Sequence, residues 1–137
     1  MATEHAEIEY RINAPITAEQ LADLFRRSGI RRPVDDLERI GQMIRHANLI
    51  ITAWQGSRLV GVARSLTDYS YCCYLSDLAV DREFQHAGIG SELLRRSRAA
   101  AGDQSMLLLL SAPEAMDFYL RIGMEAVQNG WIIRRSG

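Results

Sequence analysis

Apolar and polar positions alternate along 7–12, where Ile8, Tyr10 and Ile12 share one parity. A period of two predicts a strand. The period then lengthens, with Leu21, Leu24 and Phe25 at helical spacing. Thr17 and Gln20 stand ahead of that helix as a capping box, and Gly29 marks its end. After the loop residues Arg31, Arg32 and Pro33, Asp35 is placed to cap a second helix with the apolar face Leu37, Ile40, Met43 and Ile44. A nearly continuous apolar run over 48–54 predicts a buried strand. The turn at Gln55, Gly56 and Ser57 returns the chain as a second strand over 58–66, completing a hairpin.

The pattern is densest over 74–96. Residues 74–80 are apolar on both alternating faces except for Ser76 and Asp77, which predicts a central strand covered on both sides. Alternation puts Asp77 on the face opposite Tyr74. A polar stretch over 81–86 ends the strand, Gly88 and Gly90 follow, and a helix is predicted over 91–101 with Leu93 and Leu94 inward and Gly102 as its stop. The uniformly apolar 106–110 reads as a buried strand parallel to 74–80, with the intervening helix as crossover. Ser111 and Glu114 form a second capping-box candidate, Pro113 suits a first helical turn, and Gly123 ends that helix. Trp131, Ile132 and Ile133 predict a last strand. The sum is a mixed α/β chain with about six or seven strands and about four helices.

A glycine loop feeding a helix start carries chemistry. Its unpaired N–H groups point one way and the helix dipole adds positive charge, so it can hold a phosphate with no basic side chain. The dinucleotide loop needs a third glycine and the ATP loop needs a lysine; neither is present. What is present is Gln85-His86-Ala87-Gly88-Ile89-Gly90, directly after a strand ending in Ala79-Val80. This resembles the Q/R-x-x-G-x-G/A signature of the Gcn5-related N-acetyltransferases. The resemblance extends upstream to 59–63 and downstream to 115–124, in the family's order, and covers nearly the whole chain. It implies a single acetyltransferase domain over 1–137, built on a mixed, mostly antiparallel sheet.

It also implies roles. Acetyl-CoA would be the co-substrate, with no metal. Its pyrophosphate would lie on the backbone of Gln85, His86, Ala87, Gly88, Ile89, Gly90 and Ser91. Its pantetheine arm would pair with the main chain of Leu78, Ala79 and Val80, and the Leu78 N–H could face the thioester oxygen. Tyr119, four residues after Ala115 in an A-x-x-F-Y context, would be the acid that protonates the departing thiolate; the plain alternative is a packed helix tyrosine. The chain departs from the family at Tyr74, where some relatives carry a glutamate base, and at Ala112, where many carry a cofactor-contacting asparagine. Water-mediated deprotonation of the amine is then an equal reading.

Composition narrows the classes. With 47% hydrophobic residues, 24% charged residues and a net charge of −1, nothing points to nucleic acid or a membrane surface as partner. No apolar run approaches a membrane span, and the acidic, polar start MATEHAEIEY is not a signal peptide. The adjacent Cys72 and Cys73 fit two reduced thiols on opposite strand faces, which suits a cytoplasmic setting. Solvated roles suit His86, His5, His46, Arg95, Arg96 and Arg98 better than phosphate or metal binding.

The expected reaction is transfer of acetyl from acetyl-CoA to a primary amine, of a small molecule, by direct attack in a ternary complex. A protein or peptide acetyltransferase and a non-catalytic acyl-CoA-binding module are the other readings. A homodimer through open edges near the C-terminal strands fits as well. The acceptor side would draw on Arg31, Arg32, Asp35, Asp36, Arg64 and Asp68. Acids such as Asp68 in the cleft would select a cationic amine, the version favoured here; Arg31 or Arg64 there would select an amine that carries a carboxylate.

Overall fold

The computed structural model describes residues 7–137. Strand β1 is Glu9–Ile12, followed by helices α1, Ala18–Ser28, and α2, Leu37–His46. Strands β2, Leu49–Gln55, β3, Arg58–Thr67, and β4, Cys72–Val80, form a meander. A 3-10 turn, Arg82–Phe84, leads to helix α3, Ile89–Ala101. Strand β5, Met106–Leu108, a second 3-10 turn, Pro113–Ala115, and helix α4, Met116–Arg121, complete the elements.

The five strands lie in sequence order in one sheet. The β1–β2, β2–β3 and β3–β4 pairs are antiparallel and β4–β5 is parallel. The mixed α/β architecture and four helices match the pattern of the sequence, with fewer strands than it suggests. The missing one is the strand expected at 131–133. Trp131 is 95% exposed and Ile133 99% exposed, and no strand pairs with this stretch. An apolar run supplies side chains for a strand but not the neighbouring edge whose backbone groups it must meet.

Local signals explain the helix ends. Thr17 and Gln20 exchange both bonds of the capping box, at 3.0 and 2.9 Å. Gly29, at φ 85°, closes α1 in the left-handed region. The cap of α2 is Asp36 rather than Asp35: its carboxylate accepts from the Arg39 N–H at 3.0 Å, while Asp35 is turned to Arg26. Ser111 does not cap; Ala112 precedes the 3-10 turn without a side-chain bond, and Ser111 Oγ faces Met116 Sδ.

Each face of the sheet carries an apolar layer. On one side Leu21, Leu24, Phe25 and Ile40 of α1 and α2 cover Ile50, Val62 and Ala79. On the other, Ile89 and Leu93 of α3 cover Ile51, Ala63 and Leu75. Leu21, Leu24 and Phe25 are fully buried, each stabilising the fold by about 1.5–3 kcal/mol relative to exposure. At the far end of β4, buried Asp81 ties the sheet to α1. It accepts from the Arg27 guanidinium, from Arg58 at 3.0 Å and from the Glu83 N–H at 2.9 Å. Burial alone would raise the Asp81 carboxyl; the Glu83 N–H and the Arg27 guanidinium instead bring it below its ordinary value.

Two irregularities of β4 set the shape of its free edge. Its register with β3 steps where Arg64 faces Asp77 and Ser65 faces Leu75, leaving Ser76 as the extra residue of a bulge. The parallel pairing with β5 covers only Cys72 to Tyr74 against Met106 to Leu108. The expected partnership with 74–80 therefore does not form: the bulge bends β4, and the two chains part after Tyr74.

Candidate active site

Where β4 and the chain after β5 separate, a cleft of about 830 Å³ opens. Leu78, Ala79, Val80 and Gln85 form one wall and Tyr119 belongs to the other. These five predicted site residues are thus brought together by one feature, the parting of two parallel strands. Beyond Tyr74, β4 has no strand on its cleft side. Apart from the Ser76 and Val80 carbonyls, which accept from Arg32 and Gln85, its main-chain groups on that side have no strand partner and suit an extended ligand with amide groups of its own.

The Gln85 side chain turns back and donates to the Val80 carbonyl at 2.9 Å, which fastens the loop to the strand end. His86 takes φ 67° and Gly88 φ 85°, two left-handed residues that reverse the chain sharply. Gly88 is the N-cap of α3 and makes no side-chain cap bond, so the first-turn N–H groups keep no protein acceptor. Ile89 is buried and offers only its backbone. Gly90 lies between the cleft wall and α4: a Cβ there would stand 3.4 Å from Phe118 Cζ and 3.9 Å from Val80 Cγ2. His86, Ala87, Gly88, Ile89, Gly90 and Ser91 do not line the cleft itself; they form the turn at its end.

Tyr119 is half-buried and packs edge-on against Phe118, with centroids 5.0 Å apart. Burial pushes its phenol above the ordinary value of 10.0, and no hydrogen bond contributes to that shift. The group is therefore protonated throughout the neutral range.

A second cleft, of about 650 Å³, adjoins the first and shares Arg31, Arg32, Ser76 and Leu110 with it. Tyr74 lies on its wall. Here simple alternation misleads. Tyr74 faces Leu66 and Asp77 faces Arg64 across the β3–β4 ladder, and residues 64 and 66 share one side of β3. The bulge at Ser76 shifts the parity, so Tyr74 and Asp77 lie on the same face of β4, not on opposite faces. Asp77 is fully buried and accepts from Arg32 Nε at 2.6 Å and Arg64 Nε at 2.5 Å. Arg64 also donates to Ser76 Oγ at 3.1 Å, and Arg32 to the Ser76 carbonyl at 2.8 Å.

Asp68 stands elsewhere. Its carboxylate accepts from the N–H groups of Tyr71, Cys72 and Ser70 at 2.7–3.0 Å and holds the β3–β4 turn. These bonds lower its pKa to about 2. Arg95 and Arg96 pair with Glu92 on α3. Cys72 is exposed and Cys73 buried, both free. His5 lies outside the described residues. Glu114, read from the sequence as part of a capping box, instead lines the first cleft. The arginine lining of the second cleft was half-legible: Arg31, Arg32 and Arg64 stand out in sequence, but Arg39, Arg134 and Arg135 carry no local signal.

The model for the acetyltransferase (GNAT) domain matches residues 9–131, and the chain belongs to that family. An uncharacterised N-acetyltransferase of Porphyra purpurea is 28% identical over 113 residues, which is 77% of this chain and 61% of that protein. The chloroplastic GCN5-related N-acetyltransferase 2 of Arabidopsis thaliana is 31% identical over 78 residues, 56% of this chain and 30% of that protein. The chain thus spans less than two thirds of the length of the curated relatives it matches. Among solved structures, a Deinococcus radiodurans R1 protein that bears the name acetyltransferase superposes with TM-score 0.77 at 25% identity, covering 95% of this chain and 90% of that one. The aminoglycoside N-acetyltransferase AAC(6')-Iy in complex with CoA shares the fold, with TM-score 0.71 at 13% identity and 96% of each chain covered. No helix among the described residues is long and apolar enough to cross a membrane.

Proposed function

We propose that this chain transfers the acetyl group of acetyl-CoA to the primary amine of a small molecule, by direct attack in a ternary complex. The observation that carries this reading is the cleft between β4 and the chain after β5, with Tyr119 on one wall and the uncapped first turn of α3 at its end. The main chain of Leu78, Ala79 and Val80 would hold the pantetheine arm. The N–H groups from Gln85 to Ser91 would hold the pyrophosphate, where the dipole of α3 favours negative charge. The Leu78 N–H would stabilise charge on the thioester oxygen.

In the transfer, the amine nitrogen bonds to the acyl carbon and the carbon–sulfur bond breaks. Tyr119 gives its proton to the sulfur and regains one from solvent, to which the amine loses its own. Tyr74 fills the position of the strand glutamate found in some relatives, so the amine is deprotonated by water. The two free cysteines suit a reducing, cytoplasmic compartment. The test is calorimetric titration with CoA, followed by thiol release from acetyl-CoA with a panel of amines. Binding in the micromolar range with amine-dependent thiol release supports the reading. Binding without release for any amine leaves an acyl-CoA-binding module, and release only with a lysine peptide makes the chain a peptide acetyltransferase.

A further inference from the structure

We infer that the acceptor is an anionic amine, a small molecule carrying a carboxylate or phosphate beside the amino group that is acetylated. This rests on the acetyl-transfer reading above and specifies its substrate. Six arginines, Arg31, Arg32, Arg39, Arg64, Arg134 and Arg135, line the cleft that adjoins the Tyr119 cleft, and no aspartate or glutamate among the described residues lines it.

Glu114 lines the first cleft but not this one, and four other acids are engaged elsewhere. Asp77 is buried behind the wall and shared by Arg32 and Arg64, so this pair of arginines retains a net positive charge. Asp36 caps α2, Asp35 is turned to Arg26, and Asp68 holds the β3–β4 turn. Among the described residues, Arg31, Arg39, Arg134 and Arg135 form no ion pair with a carboxylate side chain; Arg39 donates to the Gly137 carbonyl at 3.5 Å. A cationic diamine entering here would meet this surplus with no aspartate or glutamate side chain on the wall to offset it. A carboxylate or phosphate would meet several forked donors that bind such groups in pairs. Because Arg31, Arg32, Ser76 and Leu110 belong to both clefts, an anion held on this wall leaves its amine directed toward the β4 edge and Tyr119.

The experiment compares matched acceptors by thiol release from acetyl-CoA: phenylalanine against phenethylamine, O-phosphoethanolamine against ethanolamine, with 1,4-diaminobutane and an acidic peptide as further arms. At least tenfold higher kcat/KM for either acid-bearing member over its partner without the acid group supports the inference, and the two pairs separate carboxylate from phosphate. The advantage should lie in KM and shrink as NaCl rises from about 50 to 500 mM, within the range where screening shortens to a few ångströms. Arg31→Gln, which removes no ion pair, should cut the ratio several-fold. Equal or better turnover of the amines without an acid group, or of the diamine, would overturn the anionic assignment and leave acetyl transfer standing. Turnover of the peptide alone would overturn the small-molecule assignment. Failure with every amine, despite CoA binding by calorimetry, would overturn the acetyl-transfer reading along with it.

Discussion

Arg64 Nε donates to Asp77 Oδ2 at 2.5 Å across the step in register where Ser76 bulges from β4. The same carboxylate accepts from Arg32 through its other oxygen. One buried acid thus anchors the loop before α2, the strand β3 and the strand that walls both clefts. Removing one member of such a group leaves charge buried without a partner, at a cost of about 3–5 kcal/mol. Asp77→Asn keeps the volume and removes the charge. Urea unfolding should show a loss near the lower end of that range, since Arg32 is partly exposed; an unchanged midpoint would show that the carboxylate contributes nothing.

Tyr119→Phe keeps the ring packed on Phe118 and removes the proton. A fall in kcat of about 10²–10⁴ is expected for a lost general acid, with CoA affinity by calorimetry within a factor of about two. The pH profile gives a second readout. The rate should rise with pH as the amine, with an ordinary pKa of about 10.4, loses its proton. It should fall where Tyr119 ionises, above its ordinary 10.0 because burial raises it. The variant should lose that falling limb.

The two glycines of the loop separate by mechanism. Gly88 holds φ 85° with nothing within 4 Å of a Cβ, so Gly88→Ala should cost only backbone strain, about 1–2 kcal/mol in urea unfolding. Gly90 is helical, and its Cβ would make ordinary contact with Phe118. Gly90→Ala should fold normally. Gly90→Val adds methyls against Phe118 and the end of the cleft, and should weaken CoA binding at least about tenfold with the fold retained. Wild-type affinity in the valine variant would remove this turn from the site.

Asp68→Asn tests the β3–β4 turn. The folded-state pKa is depressed from 3.8 to about 2 by the Tyr71, Cys72 and Ser70 N–H groups. A depressed carboxylate contributes stability above its unfolded pKa and loses it as pH falls through the folded one. The melting temperature of the variant should lie a few degrees below wild type at neutral pH. That gap should close between about pH 4 and pH 2, the interval set by those two pKa values. A gap that persists at pH 2 would mean the side chain acts through shape and not charge.

The sequence by itself determined the family, the order of elements and the identity of the turn that opens α3. Those depend on local signals: the Thr17 to Gln20 box, the alternation of β1, and glycines where backbone must reverse or come close. It also singled out Tyr119, whose motif places it a fixed distance along the chain from Ala115. Tertiary structure alone decided the width of the β4–β5 gap, because a bulge is a relation between two strands. No residue of β4 signals that Ser76 will be left unpaired, so alternation assigned Tyr74 and Asp77 to opposite faces. The fate of each charge was likewise undecided. Asp68 and Asp77 look alike along the chain, yet one caps an exposed turn and the other pairs with two arginines in the interior. The arginines that face the second cleft come from positions 31 to 135, and only folding brings them to one wall. The strand expected at 131–133 fails for the same reason: side-chain pattern is local, but a strand needs a neighbour.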